Sequence, residues 1–146
     1  MEDDGSWSAA RLRVFSPDLT PEELAAALVV PPDQSYRTGD RVSLRSGSEV
    51  VRKTNAVFVD SGLPENRPLD EHLEALVAKL EPAAAGLRSL SGRAKADVFC
   101  GFSSANGQGG FSLSPRLLAR LAALGLDIGF DLYPPRLAGD GRDTEA

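Results

Sequence analysis

Period-two alternation constrains this chain more than any other feature. Leu126, Ile128, Phe130 and Leu132 share one parity, and Asp127, Gly129, Asp131 and Tyr133 share the other. Residues of one parity lie on one face of a strand, so 126–133 reads as a strand with its apolar side inward. Val98, Cys100 and Phe102 repeat the pattern opposite Asp97, Phe99 and Gly101, and Leu12 and Val14 repeat it opposite Arg11, Arg13 and Phe15. A sheet built from such strands has one solvated face and must carry its helices on the other.

Two helix starts follow the same scheme. In Leu19-Thr20-Pro21-Glu22-Glu23-Leu24, Thr20 caps, Pro21 takes the first helical position, Glu23 closes a capping box and Leu19 staples to Leu24. Leu113-Ser114-Pro115-Arg116-Leu117-Leu118 repeats it, and Gly125 supplies the left-handed stop. The first helix cannot pass Pro31-Pro32. Between them, Leu69, Leu73, Leu76, Val77 and Leu80 form the stripe of a third helix, continued beyond Pro82 by Ala84, Leu87 and Leu90. Residues 34–40 read as loop, 41–45 and 49–61 as two strands around Ser46-Gly47-Ser48, and 97–102 with 110–112 as a hairpin turning at 105–108.

The expected order is therefore β-α-ββ-α-ββ-α-β. The fold class is α+β: a two-layer sandwich with a mostly antiparallel sheet and helices packed on one face. With 146 residues one domain is expected, over 8–133, between a disordered N-terminus (1–7) and a disordered tail (134–146) of Pro, Gly and charge. A net charge of −5 argues against nucleic acid and anionic membrane as partners. The chain contains no apolar run of spanning length, and its acidic start is unlike a signal peptide, so the cytoplasm is expected. Of the 16 basic residues only Lys53, Lys79 and Lys95 are lysine, an arginine bias that fits a GC-rich bacterial genome.

Candidate chemistry is sparse. One cysteine and one histidine exclude a disulfide framework and His- or Cys-rich metal sites within the chain. Cys100 shares a face with Val98 and Phe102 and reads as a buried, inert thiol. His72, beside Glu71 and Glu74, reads as a boundary residue on a solvated helix edge, with no nucleophile in a recognisable context. The Gly-rich 103–110 stretch lacks the Lys-Ser/Thr and following helix of a phosphate loop and reads as a turn. On the outward face, Asp97, Asp127 and Asp131 offer oxygen ligands to a divalent cation, but their spacing matches no metal loop, and Arg11 and Arg13 can neutralise them across strands. No metal, cofactor or catalytic set is implied.

From residue 97 onward the chain resembles a known family. Asp97-Val98-Phe99-Cys100-Gly101-Phe102, Gly109-Gly110-Phe111-Ser112-Leu113-Ser114-Pro115, and 121–133 from Leu121 to Tyr133 are similar to bacterial proteins catalogued as domain of unknown function four-two-seven-nine. Arg13-Val14-Phe15, Leu19 to Leu24 and Leu69-Asp70-Glu71-His72-Leu73 resemble it too, so the likeness spans about Ser8 to Tyr133. Where many members carry Trp on the middle strand, this chain has Phe58. The resemblance implies a small cytoplasmic α+β domain and brings no catalytic residues.

The expectation is thus a non-catalytic binding domain that engages a protein partner through its open sheet face, toxin immunity being one such role. The expected surface comprises Arg11, Arg13, Phe15, Asp97, Phe99, Gly101, Asp127, Gly129, Asp131 and Tyr133, with the two glycines leaving it flat for a partner's backbone. The alternative is a metal-dependent hydrolase or small-ligand enzyme built on Asp97, Asp127 and Asp131.

Overall fold

The computed structural model describes residues 5–135, so the expected disorder of 1–4 and 136–146 lies outside the described residues. Strand β1 (Trp7–Ser16) leads into helix α1 (Pro21–Leu28), followed by β2 (Gln34–Tyr36), β3 (Arg41–Ser43), β4 (Glu49–Val51) and β5 (Asn55–Asp60). Helix α2 (Leu69–Leu80), a 3-10 turn (Glu81–Ala83), α3 (Ala84–Ser89), β6 (Lys95–Ser103), α4 (Pro115–Ala123) and β7 (Asp127–Leu132) complete the chain. Five strands form one sheet in the order β2-β5-β1-β6-β7, antiparallel except for the parallel β6–β7 pair. This is the expected α+β class, with a mostly antiparallel sheet.

The alternation builds the core directly. Leu12 and Val14 of β1, Val57 and Val59 of β5 and Val98 and Cys100 of β6 are all buried on the helix-bearing face. The stripe Leu69, Leu73, Leu76, Val77 and Leu80 of α2 meets them, with Leu24 and Leu28 of α1 and Leu117 and Leu121 of α4. Both helix starts form as their sequences require. The Thr20 hydroxyl accepts from the Glu23 N–H at 3.1 Å, and Glu23 returns the bond to the Thr20 N–H at 3.2 Å. Ser114 accepts from the Leu117 N–H at 3.1 Å, and Gly125 takes the left-handed conformation at φ +70°. Each such cap contributes about 1 kcal/mol. Pro82 interrupts the second helix with the 3-10 turn and the helix restarts as α3, because a proline cannot donate to the preceding turn.

Three local expectations change. First, residues 34–36, read as loop, pair with β5 as an edge strand. Second, 41–61 is not two strands but three. Val42 pairs with Val50 in a separate two-stranded sheet, and only β5 joins the main sheet. The polar break before it has a purpose: the Asn55 amide donates to the Leu19 carbonyl at 2.9 Å and its oxygen accepts from the Thr38 N–H at 2.9 Å. Third, 110–112 forms no strand. The place beside β6 goes to β7, and Phe111 instead lies between Phe102 and Phe130, with centroids 5.2 and 5.3 Å away. Phe130 and Leu132 do point to the helix side but stay exposed, because β7 is the edge strand. β1 begins at Trp7, and the Ser103 hydroxyl donates to the Pro134 carbonyl at 3.0 Å.

Two backbone positions carry opposite consequences. A Cβ on Gly86 of α3 would sit 1.7 Å from the carbonyl oxygen of Ala27 on α1, so the two helices approach only because that side chain is missing. Val29, which ends α1, holds a left-handed φ of +69°, a conformation that costs a β-branched residue about 1–2 kcal/mol. Gly86→Ala is expected to lower the unfolding free energy by about 1–3 kcal/mol. Val29→Gly is expected to raise it by about 0.5–1 kcal/mol, the strain relief being partly offset by chain entropy. Denaturant titration of the two variants beside the parent checks both signs.

Candidate functional site

All helices lie on one side of the main sheet, which leaves the other side to the strands' second parity. Register places the expected surface residues together there. Arg11 sits between Asp60 on β5 and Phe99 on β6, with Gly129 beyond on β7. Arg13 sits between Phe58 and Asp97, with Asp127 beyond. Gly101 stands between Ala9 and Asp131, and Phe15 between Ala56 and Lys95. Tyr133 follows β7, its N–H donating to the Phe102 carbonyl at 2.9 Å.

The charges on this face are arranged in pairs. Arg13 grips Asp97 with two bonds, Nε to Oδ1 at 2.8 Å and a terminal nitrogen to Oδ2 at 2.7 Å. Donating these hydrogen bonds to Asp97 raises the Arg13 pKa above its ordinary value. Arg13 also lies 4.2 Å from the Phe99 centroid, so the guanidinium is stacked as well as paired. Arg11 pairs with Asp60 at 2.7 Å, rather than with any of the three aspartates the sequence offered it. With both Asp97 oxygens committed to Arg13, the three aspartates do not form a cation cradle. Among the described residues no three His, Cys, Asp or Glu side chains converge on one point.

The face is less flat and less bare than its glycines imply. Gly101 is buried: a Cβ there would fall 2.7 Å from the Trp7 ring, which covers it and packs on Tyr133 at a centroid distance of 5.0 Å. A Cβ on Gly129 would meet the Phe99 ring at 3.6 Å. These glycines admit the protein's own aromatics, so the expected landing place for a partner's backbone is already filled at Gly101. Phe58 is likewise buried, although its parity faces away from the helices. Phe15 and Tyr36 meet it edge-on at 5.8 and 5.7 Å, and Arg11 covers it at 5.1 Å.

The β3–β4 hairpin turns this face into a cleft of about 670 Å³. Trp7, Ala9, Arg11 and Phe99 of the main sheet line it, facing Val42, Leu44 and Arg45 of the hairpin segment and Arg52 just after β4. Arg52 stacks 4.0 Å from the Tyr36 centroid, next to the cleft wall. The volume lies in the range of small-ligand and peptide-anchor sites. Sequence reasoning missed Trp7, Tyr36, Arg45, Arg52 and Asp60. Extending the alternation of β1 back four residues from Arg11 places Trp7 on the same face, a signal that was present. Nothing local announces that Arg45 and Arg52 lie across from it.

His72 also lines the cleft, and here the expectation of a solvated edge is corrected: it is 1% exposed. Its Nδ1 and the Ser61 hydroxyl are hydrogen-bonded at 2.6 Å, and the same hydroxyl accepts from the Leu63 N–H at 3.3 Å. The pair ties α2 to the end of β5. The second ring nitrogen, Nε2, has no hydrogen-bond partner among the described residues. Burial pushes the His72 pKa below 6.5, opposed by the backbone near Pro64 and Arg67 and by Glu71 and Glu65. Burial drives the Cys100 thiol up to about 12, which makes it inert as expected. Tyr133 is raised to about 12 by burial and by the Asp131 carboxylate.

The fold and the site together define a small two-layer α+β domain with a hairpin-roofed cleft on the helix-free face of its sheet. The chain belongs to the family described as Domain of unknown function (DUF4279), whose profile matches residues 6–135. No curated protein and no solved structure matches it. Among the described residues no helix is long and apolar enough to cross a membrane.

A histidine whose folded pKa is lowered favours the neutral ring in the folded state. The unfolded chain therefore takes up more protons as pH falls below about 6.5. Thermal unfolding is expected to show a stable plateau above pH 7 and a declining Tm from pH 6.5 downward, with the His72→Gln variant showing a shallower decline over that window. Separately, millimolar Mg²⁺, Mn²⁺ and Ca²⁺ are expected to leave Tm unchanged in the parent and in Asp131→Asn. A cation-induced rise that Asp131→Asn removes would restore the cation-site reading.

Proposed function

We propose that this chain is a non-catalytic binding domain of the bacterial cytoplasm that engages a segment of a protein partner in the cleft between its sheet face and the β3–β4 hairpin. The observation that carries the reading is the hairpin itself. It forms no ladder with the main sheet, yet lines a cleft opposite it. A two-stranded ribbon of three-residue strands is marginal by itself, so its position over a paired and stacked face favours recognition over core building. The side chains at hand also favour binding over chemistry: the cleft's one histidine is buried against a hydroxyl, and the Asp60 carboxylate in its lining is paired with Arg11. The arginine-over-aromatic stacks give the floor fixed, amphipathic contact surfaces of the kind enriched at interface centres.

The test begins with a partner co-purified from the native host and identified, then titrated as purified protein. Phe99→Ala with Tyr133→Ala on the floor, and Leu44→Asp on the roof, are each expected to weaken its Kd at least tenfold while circular dichroism remains that of the parent. An unchanged Kd in both variants places the interface elsewhere and overturns the reading.

A further inference from the structure

The two ends of the main sheet are finished differently. At one end β2 is three residues long, and the carboxylate of Asp33, just before it, accepts the Asp60 N–H at 2.7 Å. A side chain there takes a bond that a longer strand would use. At the other end β7 runs for six residues, and among the described residues no strand pairs beyond it. Between 127 and 132 it has neither the lysine nor the proline that commonly blunts an edge. Its helix-side residues are apolar, and two are large and exposed, Phe130 at 43% and Leu132 at 67%.

One bond fixes which backbone groups meet that edge. The Tyr133 N–H donates to the Phe102 carbonyl, so the odd-numbered residues of β7 turn N–H and C=O toward β6. Ile128, Phe130 and Leu132 turn theirs to the open side. In an antiparallel ladder hydrogen-bonded residues stand directly opposite each other. A second β7 must therefore set even residues opposite even ones, which leaves few registers. Phe130 opposite its own copy sets Leu132 opposite Ile128, Asp131 opposite Gly129 and Asp127 opposite Tyr133. Sliding the second strand by two residues sets Asp127 opposite Asp131 one way, and Asp131 opposite its own copy the other way. Like charges directly opposite are destabilising. The strand is thus self-complementary from 127 to 133 when centred on Phe130, and in neither neighbouring register. The central ring is also held in advance, stacked on Phe111 at 5.3 Å with 21° between the planes.

We propose that β7 is the seam of a symmetric homodimer, in which a second copy of this chain pairs antiparallel about Phe130 and the two five-stranded sheets join into one. The seam lies at the sheet's edge, and the proposal stands apart from the cleft reading above. A single short ladder is at the small end of specific interfaces, so the association is weak and concentration-dependent.

Sedimentation velocity of the full chain, from low to high micromolar concentration, is expected to show a reversible shift from monomer to dimer. Leu132→Lys is expected to weaken the dimer at least tenfold with the parent's circular dichroism. Gly129→Asp, which sets a carboxylate opposite Asp131 of the second copy, is expected to do the same; its Cβ would make only ordinary contact with Phe99, at 3.6 Å. Val29→Lys, at an exposed apolar residue on the end of α1, is expected to leave the dimer unchanged. Amide exchange followed by NMR adds a readout of the ladder itself. The N–H groups of Ile128, Phe130 and Leu132 are expected to exchange at least tenfold more slowly at high concentration, and those of Gly129 and Asp131 to stay as they were. Overturning results are a monomer at every concentration, a dimer that Leu132→Lys and Gly129→Asp leave intact, equal weakening by Val29→Lys, or new protection that spares the three even-numbered amides. If the chain stays monomeric and Leu132→Lys instead weakens a purified natural partner, a foreign strand occupies the edge and the second copy fails.

Discussion

The domain is organised around β1, a strand paired with β6 from Trp7 to Phe15 and with β5 from Arg11 to Ser16, and used on both faces. Its even-numbered residues meet the helices: Leu12 and Val14 are fully buried there, under α2. Its odd-numbered residues carry Arg11 and Arg13, which bond outward to Asp60 on β5 and Asp97 on β6. One strand thus sets the core and the charge pattern of the cleft floor. A one-residue slip in its register would exchange the two faces, sending arginine into the core and leucine into the cleft.

The same strand accounts for the contrast between the sheet's two sides. The helix side is packed by aliphatic residues that need only burial. The other side is built of interlocked rings and cations: Trp7 over Gly101, Arg13 over Phe99, Arg11 over Phe58 and Arg52 over Tyr36. Aromatic and guanidinium groups have preferred geometries where aliphatic ones do not. That side therefore has a defined shape as well as an area, which is what recognition demands of a surface that no helix covers.

Much of the architecture was legible because local rules and tertiary demands agree. Thr20-Pro21 and Ser114-Pro115 start helices wherever such caps are placed, and the 126–133 and 97–102 alternations are strands in any compact setting. The failures cluster where local signals were weak or competed. Residues 34–36 have no alternation to show, being three residues on an edge. The 110–112 segment had the apolar ring of a strand residue, and tertiary packing used Phe111 as a wedge between Phe102 and Phe130 instead. His72 stands at stripe spacing, three residues after Leu69 and four before Leu76, where its polar ring competed with its position; Ser61, just after β5, gives that ring a buried partner. The second-parity residues were correctly grouped on one face, but Gly101 was misjudged because its cover, Trp7, stands more than ninety residues earlier in the chain.

By itself the sequence determined the helices and the long strands β1, β6 and β7, the parity of those strands, and hence which of their residues face the helices and which do not. Those are properties of neighbours along the chain, set by backbone sterics and by the need to bury aliphatic surface. Only the tertiary structure decided which cation pairs with which carboxylate, that β7 rather than a hairpin strand lies beside β6, and that Val42, Leu44, Arg45 and Arg52 come to face Trp7, Arg11 and Phe99 across a cleft. Those outcomes depend on strand order and on where a detached hairpin comes to lie. Contacts between residues far apart in the chain settle both, and no local pattern encodes them.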